Sequence, residues 1–258
     1  MADNLYQLRA LYVLGHYQLV LDEYARLPRN LSPPESSECQ LIKLLTSLAL
    51  NPSANLPSTS SSSLESQYAS LIQSAVLGNE TDASIDLQQL EQSATYDHLK
   101  VALATYFSIK HDMTSSLRIL STCSSLPSHL LTLQLYLSYD RPDLSLKSLK
   151  IITQTDEDSV ESLLGSSLLS LYNNVPDEAI YSLSTLSDQY GRSPKLLNLL
   201  LSSYYIKNDL PRCREIVEEI EEEGGTCQNK DAVKARLGGG GEWGDKVEGA
   251  FERCKNKF

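Results

Sequence analysis

The sequence predicts an all-α fold, a right-handed α-solenoid built from stacked helical hairpins. Three observations carry that expectation. Polar turn residues recur every 34 residues, at Asp140, Asn174 and Asn208, and each is followed within three residues by a proline, Pro142, Pro176 or Pro211. Five residues beyond each turn residue a small side chain returns, Ser145, Ala179 and Cys213. Aliphatics follow four and seven residues later, Leu149, Leu183 and Val217, then Ile152, Leu186 and Ile220. Residues four and seven apart share one face of a helix, and a small residue on that face lets a second helix approach closely. The polar residue and the proline stop one helix and start the next.

A period of 34 with this layout resembles the tetratricopeptide repeat, although none of these three units carries that repeat's usual tryptophan. Ahead of the turns the same register places Tyr136 and Tyr204, with Ser170 interrupting the aromatic column. Toward the N-terminus, Leu11, Tyr12, Gly15, Tyr17, Leu21 and Tyr24 fit a first hairpin that turns at Gly15-His16-Tyr17 and ends near Leu27. Pro33-Pro34-Glu35 predicts a helix start, and about 35–50 reads as helix. Residues 51–63 are rich in Ser, Pro and Asn and predict a flexible loop. About 64–95 is amphipathic and helical but out of register, with a turn and helix start at Asn79-Glu80-Thr81-Asp82. Residues 96–126 form another hairpin, with Tyr106-Phe107, a turn at His111-Asp112, then Leu117, Leu120 and Cys123. The repeat domain is therefore expected over 1–223. The remainder, 224–258, predicts a Gly-rich joint at Gly238–Gly241 and a helical cap or tail, with helices near 229–237 and 243–256. Terminal repeats need a polar outer face, which such a cap would present.

Composition narrows the function. The 258 residues carry 22 Lys and Arg against 33 Asp and Glu, a net charge of −11. Nucleic-acid binding needs clustered cations to displace counterions, and docking on anionic lipid needs a basic patch, so neither is expected. No apolar run reaches the length of a membrane span, so no direct membrane insertion is expected. The start, Met1-Ala2-Asp3-Asn4, shows no positive stretch followed by an apolar one, so no secretory signal is expected. Five scattered cysteines, Cys39, Cys123, Cys213, Cys227 and Cys254, read as free thiols in a reducing compartment.

The chain shows no catalytic or metal motif. His16, His98, His111 and His129 include no pair at i, i+4 with an adjacent Glu, and no Cys-x-x-Cys occurs. His111-Asp112 reads as a solvated turn pair. Gly238 to Gly241 lacks the Lys-Ser/Thr that a phosphate loop requires directly after its last glycine. No catalytic residue, no cofactor and no metal is expected. The acidic run Glu218-Glu219, Glu221-Glu222-Glu223 reads as a solvated helix face that would favour a basic partner.

What remains is surface. In a stacked-hairpin solenoid the first helices line the concave side. The first helix of the 158–172 unit carries Leu164, Leu168 and Leu171 beside the expected core positions Val160 and Leu163. The equivalent positions are Leu130, Gln134 and Leu137 in the preceding unit, and Asn198, Ser202 and Tyr205 in the following one. Together these nine residues predict a groove with a leucine centre and a polar, Tyr-bearing margin, suited to a partner helix or extended segment. Packing against another helix of the same chain is the competing reading of the leucine stripe.

The stretch Leu133-Gln134-Leu135-Tyr136-Leu137-Ser138-Tyr139-Asp140-Arg141-Pro142-Asp143-Leu144, running on to Leu149 and Thr155-Asp156-Glu157-Asp158, resembles the middle of the coatomer epsilon subunit family. There a helix ends in an Asp-Arg-x-Asp-Leu turn and the next ends in an acidic segment. Tyr12-Val13-Leu14-Gly15-His16-Tyr17-Gln18 is similar to that family's N-terminal hairpin. The resemblance covers about 5–223. Its departures are the Ser-rich 53–63 segment and the glycines at 238–241. The resemblance implies a non-catalytic subunit of the COPI vesicle coat. It implies a roughly one-to-one complex with the C-terminal domain of the coatomer alpha subunit, which the epsilon subunit stabilises. It also implies a cytoplasmic protein held on Golgi membranes through the coat, acting in Golgi-to-ER and intra-Golgi transport. The alternative is a different tetratricopeptide-type adaptor reading a helical or C-terminal peptide. A carboxylate reader needs cations in its groove, and the central units offer none, although Lys195 lies at one edge and Arg9 in the first unit.

Overall fold

The computed structural model describes residues 5–28, 30–53, 63–78 and 87–222. Thirteen α-helices and no strand lie among the described residues. The chain divides into two compact units, Met1–Thr132 and Leu133–Phe258. Of the expected Ser-rich loop, only 51–53 and 63 fall within the described residues, and they are not helical. The expected turn at Asn79–Asp82 and the expected cap over 224–258 lie outside the described residues.

The first unit holds α1 (Tyr6–Leu14), α2 (Tyr17–Arg26), α3 (Pro33–Leu50), α4 (Leu64–Val76), α5 (Leu87–Ser93), α6 (Asp97–Ile109), α7 (Met113–Leu120) and the first half of α8 (Leu126–Ser138). The N-terminal hairpin closes on α3 through Leu5, Leu8, Leu11, Val20, Cys39 and Ile42, with Tyr12, Tyr24, Leu27 and Leu31 packed around them. At the start of α3 the Glu35 carboxylate accepts from the Ser32 N–H at 2.9 Å, which satisfies a donor the helix leaves unpaired. The Pro33-Pro34-Glu35 start is thus observed where the sequence placed it.

The second unit continues α8 and adds α9 (Pro142–Thr155), α10 (Val160–Tyr172), α11 (Pro176–Tyr190), α12 (Pro194–Lys207) and α13 (Leu210–Glu222). Its regularity comes from three recurring devices. Ser159 and Ser193, 34 residues apart, cap α10 and α12 by accepting from the N–H of Ser162 and Leu196, each at 3.2 Å. The small column Ser145, Ala179 and Cys213 is fully buried, as are Ile152, Leu186 and Ile220, while Leu149 is half-buried. Ser145 adds a bond as well as close approach, since its hydroxyl donates to the Leu133 carbonyl at 3.1 Å. Ser116 makes the same bond to Ala104 at 2.9 Å, which extends the column into the α6–α7 hairpin.

The turns explain why polar residues open them. Gly15, His111, Asp140, Asn174 and Asn208 all sit at positive φ, at 84°, 61°, 59°, 61° and 65°. The next residue's N–H donates back five positions: His16 to Leu11, Asp112 to Phe107, Arg141 to Tyr136, Val175 to Ser170 and Asp209 to Tyr204, at 2.8–2.9 Å. This left-handed closure satisfies the last carbonyls of the first helix, and Gly, Asn and Asp adopt it at least cost. Side chains then link successive hairpins: Tyr172 donates to Asp140, and the Lys207 ammonium sits 2.7 Å from Asp177.

Candidate partner-binding surface

The first-helix residues singled out by register fall into distinct burial states. Leu164 is 1% exposed, and Leu130 and Tyr205 are also buried. Gln134, Leu137, Leu168, Leu171, Asn198 and Ser202 are half-buried. Leu163, expected in the core beside Val160, is the less buried of the Leu163–Leu164 pair. α10 is apolar around most of its circumference, so periodicity fixes its facing only to within one position, and the structure places Leu164 inward.

Leu130 belongs to the first unit and the other eight residues to the second. Within the second unit the surface has two chemistries. Leu137, Leu168 and Leu171 present half-covered branched carbons. Asn198 and Ser202 present amide and hydroxyl groups whose donors are turned back on their own helix, Asn198 Nδ2 to the Pro194 carbonyl at 2.7 Å and Ser202 Oγ to the Asn198 carbonyl at 2.9 Å. Such a surface suits an apolar partner segment with a polar edge.

The two cations of the adaptor alternative fare differently. Arg9 is held bidentate by Glu38, its Nε and Nη2 lying 2.5 and 2.7 Å from the carboxylate oxygens, so its charge is already matched. Lys195 is exposed at the first turn of α12 and also interacts within the chain.

A polar cluster that the periodicity did not reveal lies in the first unit, joining α3, α4 and α6. Ser37 Oγ donates to Glu65 at 2.5 Å and lies 3.0 Å from His98 Nε2. The His98 ring stacks on Tyr96 at 5.5 Å. Burial pushes the His98 imidazole below its ordinary value, opposed by the nearby Glu38, Glu65 and Asp97 carboxylates. With the serine proton on Glu65, His98 is left to donate to Ser37 rather than to accept from it. That is the reverse of an activated serine, whose proton must pass to the imidazole. The arrangement is a brace between three helices. Its only trace in the sequence is a set of charged residues on flanking helix faces, which carry no repeat spacing.

In the second unit a cleft of about 150 Å³ lies among α11, α12 and α13, lined by Arg192, Tyr204, Arg212, Glu215, Leu200 and Ile216 among others. It is smaller than the roughly 300 Å³ at which small-molecule sites begin. Arg192 pairs with Glu219 at 2.7 Å and Arg212 with Glu215 at 2.9 Å, so neither guanidinium stands ready for an anion. Among the described residues no cluster of three or more His, Cys, Asp or Glu side chains is arranged to hold a metal, and no helix is long and apolar enough to cross a membrane.

Against known proteins, residues 1–200 match the family model described as the coatomer epsilon subunit. A curated relative, coatomer subunit epsilon from Dictyostelium discoideum, is 29% identical over 104 residues, covering 39% of this chain and 35% of the relative. The matched span is thus about a third of that relative's length. A solved tetratricopeptide repeat protein from Parabacteroides merdae ATCC 43184 superposes with a TM-score of 0.51 over 86% of this chain and 85% of its own, at 13% sequence identity. At that identity the likeness is one of fold, an all-α helical-repeat solenoid.

Proposed function

This chain belongs to the coatomer epsilon subunit family, and from that membership we propose that it is a non-catalytic subunit of the COPI vesicle coat that binds and stabilises the C-terminal domain of the coatomer alpha subunit. On this reading it acts in Golgi-to-ER and intra-Golgi transport, cytoplasmic and held on Golgi membranes only through the coat. The observation that carries the reading is the family match, which spans residues 1–200, all of the first helical unit and the second as far as α12. The half-buried leucines Leu137, Leu168 and Leu171 support it, because a first-helix face of that composition favours an apolar protein segment over a charged peptide end. The pairing of Arg9 with Glu38 weighs against the adaptor alternative, since it already matches the charge of the first unit's candidate cation.

Co-expression with the C-terminal domain of the alpha subunit tests the proposal. Size-exclusion chromatography with light scattering should show one complex of one copy each. Separate elution at micromolar concentrations would refute it.

A further inference from the structure

The turns of the second unit hold large apolar side chains that the left-handed closure does not require. Of six such side chains exposed among the unit's described residues, three lie at two successive turns: Tyr139 at 53%, Tyr172 at 40% and Val175 at 40%. Tyr139 precedes the left-handed residue Asp140, and Tyr172 and Val175 bracket its counterpart Asn174. The Tyr172 hydroxyl donates to the Asp140 carboxylate, which ties the two turns together and gathers the three side chains at one edge. The Lys207–Asp177 pair ties on the third turn. Single exposed apolar residues are ordinary on a protein surface, whereas a group of them rimmed by polar residues marks an interaction site.

Anchoring and charge narrow what this edge can take. The Tyr172 ring is fixed through its hydroxyl, so it loses little freedom when a partner covers it. Tyrosine is also enriched among the residues that dominate binding energy. The three turns, 139–143, 172–178 and 207–209, carry five acids and two bases, a net −3. Both bases are already matched. Arg141 forks onto the two Asp143 oxygens, each at 3.0 Å, and Lys207 lies 2.7 Å from Asp177. Asp140, Glu178 and Asp209 accept from the Tyr172 hydroxyl, the Ser170 hydroxyl and the Arg212 N–H, groups that bring no charge. Three carboxylates therefore keep an uncompensated charge around the aromatic pair. A cation laid on a tyrosine ring is attracted by the ring as well as by the acids. A second copy would bring the same −3 to this edge and an anionic membrane a like charge, so charge disfavours both.

We propose that the edge formed by Tyr139, Tyr172 and Val175 docks a protein segment in which Lys or Arg is interleaved with apolar side chains. It uses none of the residues assigned to the coat partner and holds whether or not that partner binds.

A fluorescent peptide of alternating arginine and leucine serves as the probe, titrated with the full-length protein and read by anisotropy. A peptide with glutamate in place of arginine is the counter-probe. The arginine peptide should bind and the glutamate peptide should not. Tyr139→Ala should weaken the arginine peptide about tenfold and Val175→Ala about threefold, with far-UV circular dichroism unchanged. Neither substitution alters the net charge, so neither alters the general attraction of an acidic chain for a basic peptide. Tyr181→Ala is equally neutral, 74% exposed and on the same helix as Asp177 and Asp188, and should change the affinity by less than about twofold. Should Tyr139→Ala fail to fold, Val175→Ala against Tyr181→Ala makes the same comparison. Equal affinities for all three variants and the parent mean attraction to net charge alone and overturn the proposal, as does no binding of the arginine peptide. Equal binding of the glutamate peptide overturns the charge matching. Self-association of the parent that Tyr139→Ala abolishes overturns it in favour of a second copy.

Discussion

Ala179→Leu puts the physical basis of the repeat to a quantitative test. Ala179 is fully buried on α11, five residues past the left-handed turn residue Asn174. Its methyl group sets how closely α11 lies on α10, the role shared by Ser145 and Cys213. Leucine adds three carbons at a position that is fully buried. Ala and Leu differ little in helix propensity, so the cost is one of packing. Overpacking of this kind costs about 1–3 kcal/mol. For a chain of this size each kcal/mol lowers the melting temperature by about 2–4 °C, so the expected loss is roughly 2–12 °C. Urea unfolding of the full chain, followed by far-UV circular dichroism, should show a lower midpoint with an unchanged slope. Tyr181→Ala, on the same helix but 74% exposed, supplies the control and should stay within about 0.5 kcal/mol of the parent. If Ala179→Leu is as stable as Tyr181→Ala, the small column does not set helix approach.

Three further outcomes are expected. At the α10–α11 turn, Asn174→Val should cost about 1–2 kcal/mol because a β-branched residue resists φ of 61°, whereas Asn174→Gly should be near neutral; thermal melts of both variants read the difference. Because burial lowers the His98 pKa below 6.5, the unfolded chain binds more protons than the folded one just under that pH, so stability present above 6.5 is lost as pH falls through it. His98→Gln should flatten this decline in urea titrations at stepped pH. The groups facing the ring are Ser37, Glu38, Glu65, Arg9, Tyr96 and Asp97; the His129 pKa is shifted in the same direction, so part of the slope should persist. Leu171→Arg should weaken binding to the C-terminal domain of the alpha partner at least tenfold, roughly 1.4 kcal/mol or more by calorimetry, with helical content retained.

The repeat architecture was legible wherever its chemistry is periodic. Asp140, Asn174 and Asn208 stood out as polar residues at equal spacing, and the structure gives the cause, a left-handed turn that few side chains tolerate. Ser145, Ala179 and Cys213 stood out as small, and all three are buried where helices meet. The equally regular caps Ser159 and Ser193 did not stand out, because serine fills so many other helix and loop positions in this chain. Nor did the Ser37–Glu65–His98 brace, which joins residues up to 61 positions apart with no repeat between them. The candidate surface was legible only in part. α10 is apolar over much of its circumference, so periodicity put Leu163 inward where the structure places Leu164. Leu164→Asp is therefore expected to disrupt the fold itself, and Leu168 and Leu171 are the positions that report on a partner.

The most direct test of the central claim is affinity purification of the tagged full-length chain from cytosol of its own organism, with quantitative mass spectrometry of what co-purifies at moderate salt. The account predicts the full set of coatomer proteins, with the alpha subunit in near-equal amount to the bait. Recovery of chaperones, or of nothing stoichiometric, would contradict it.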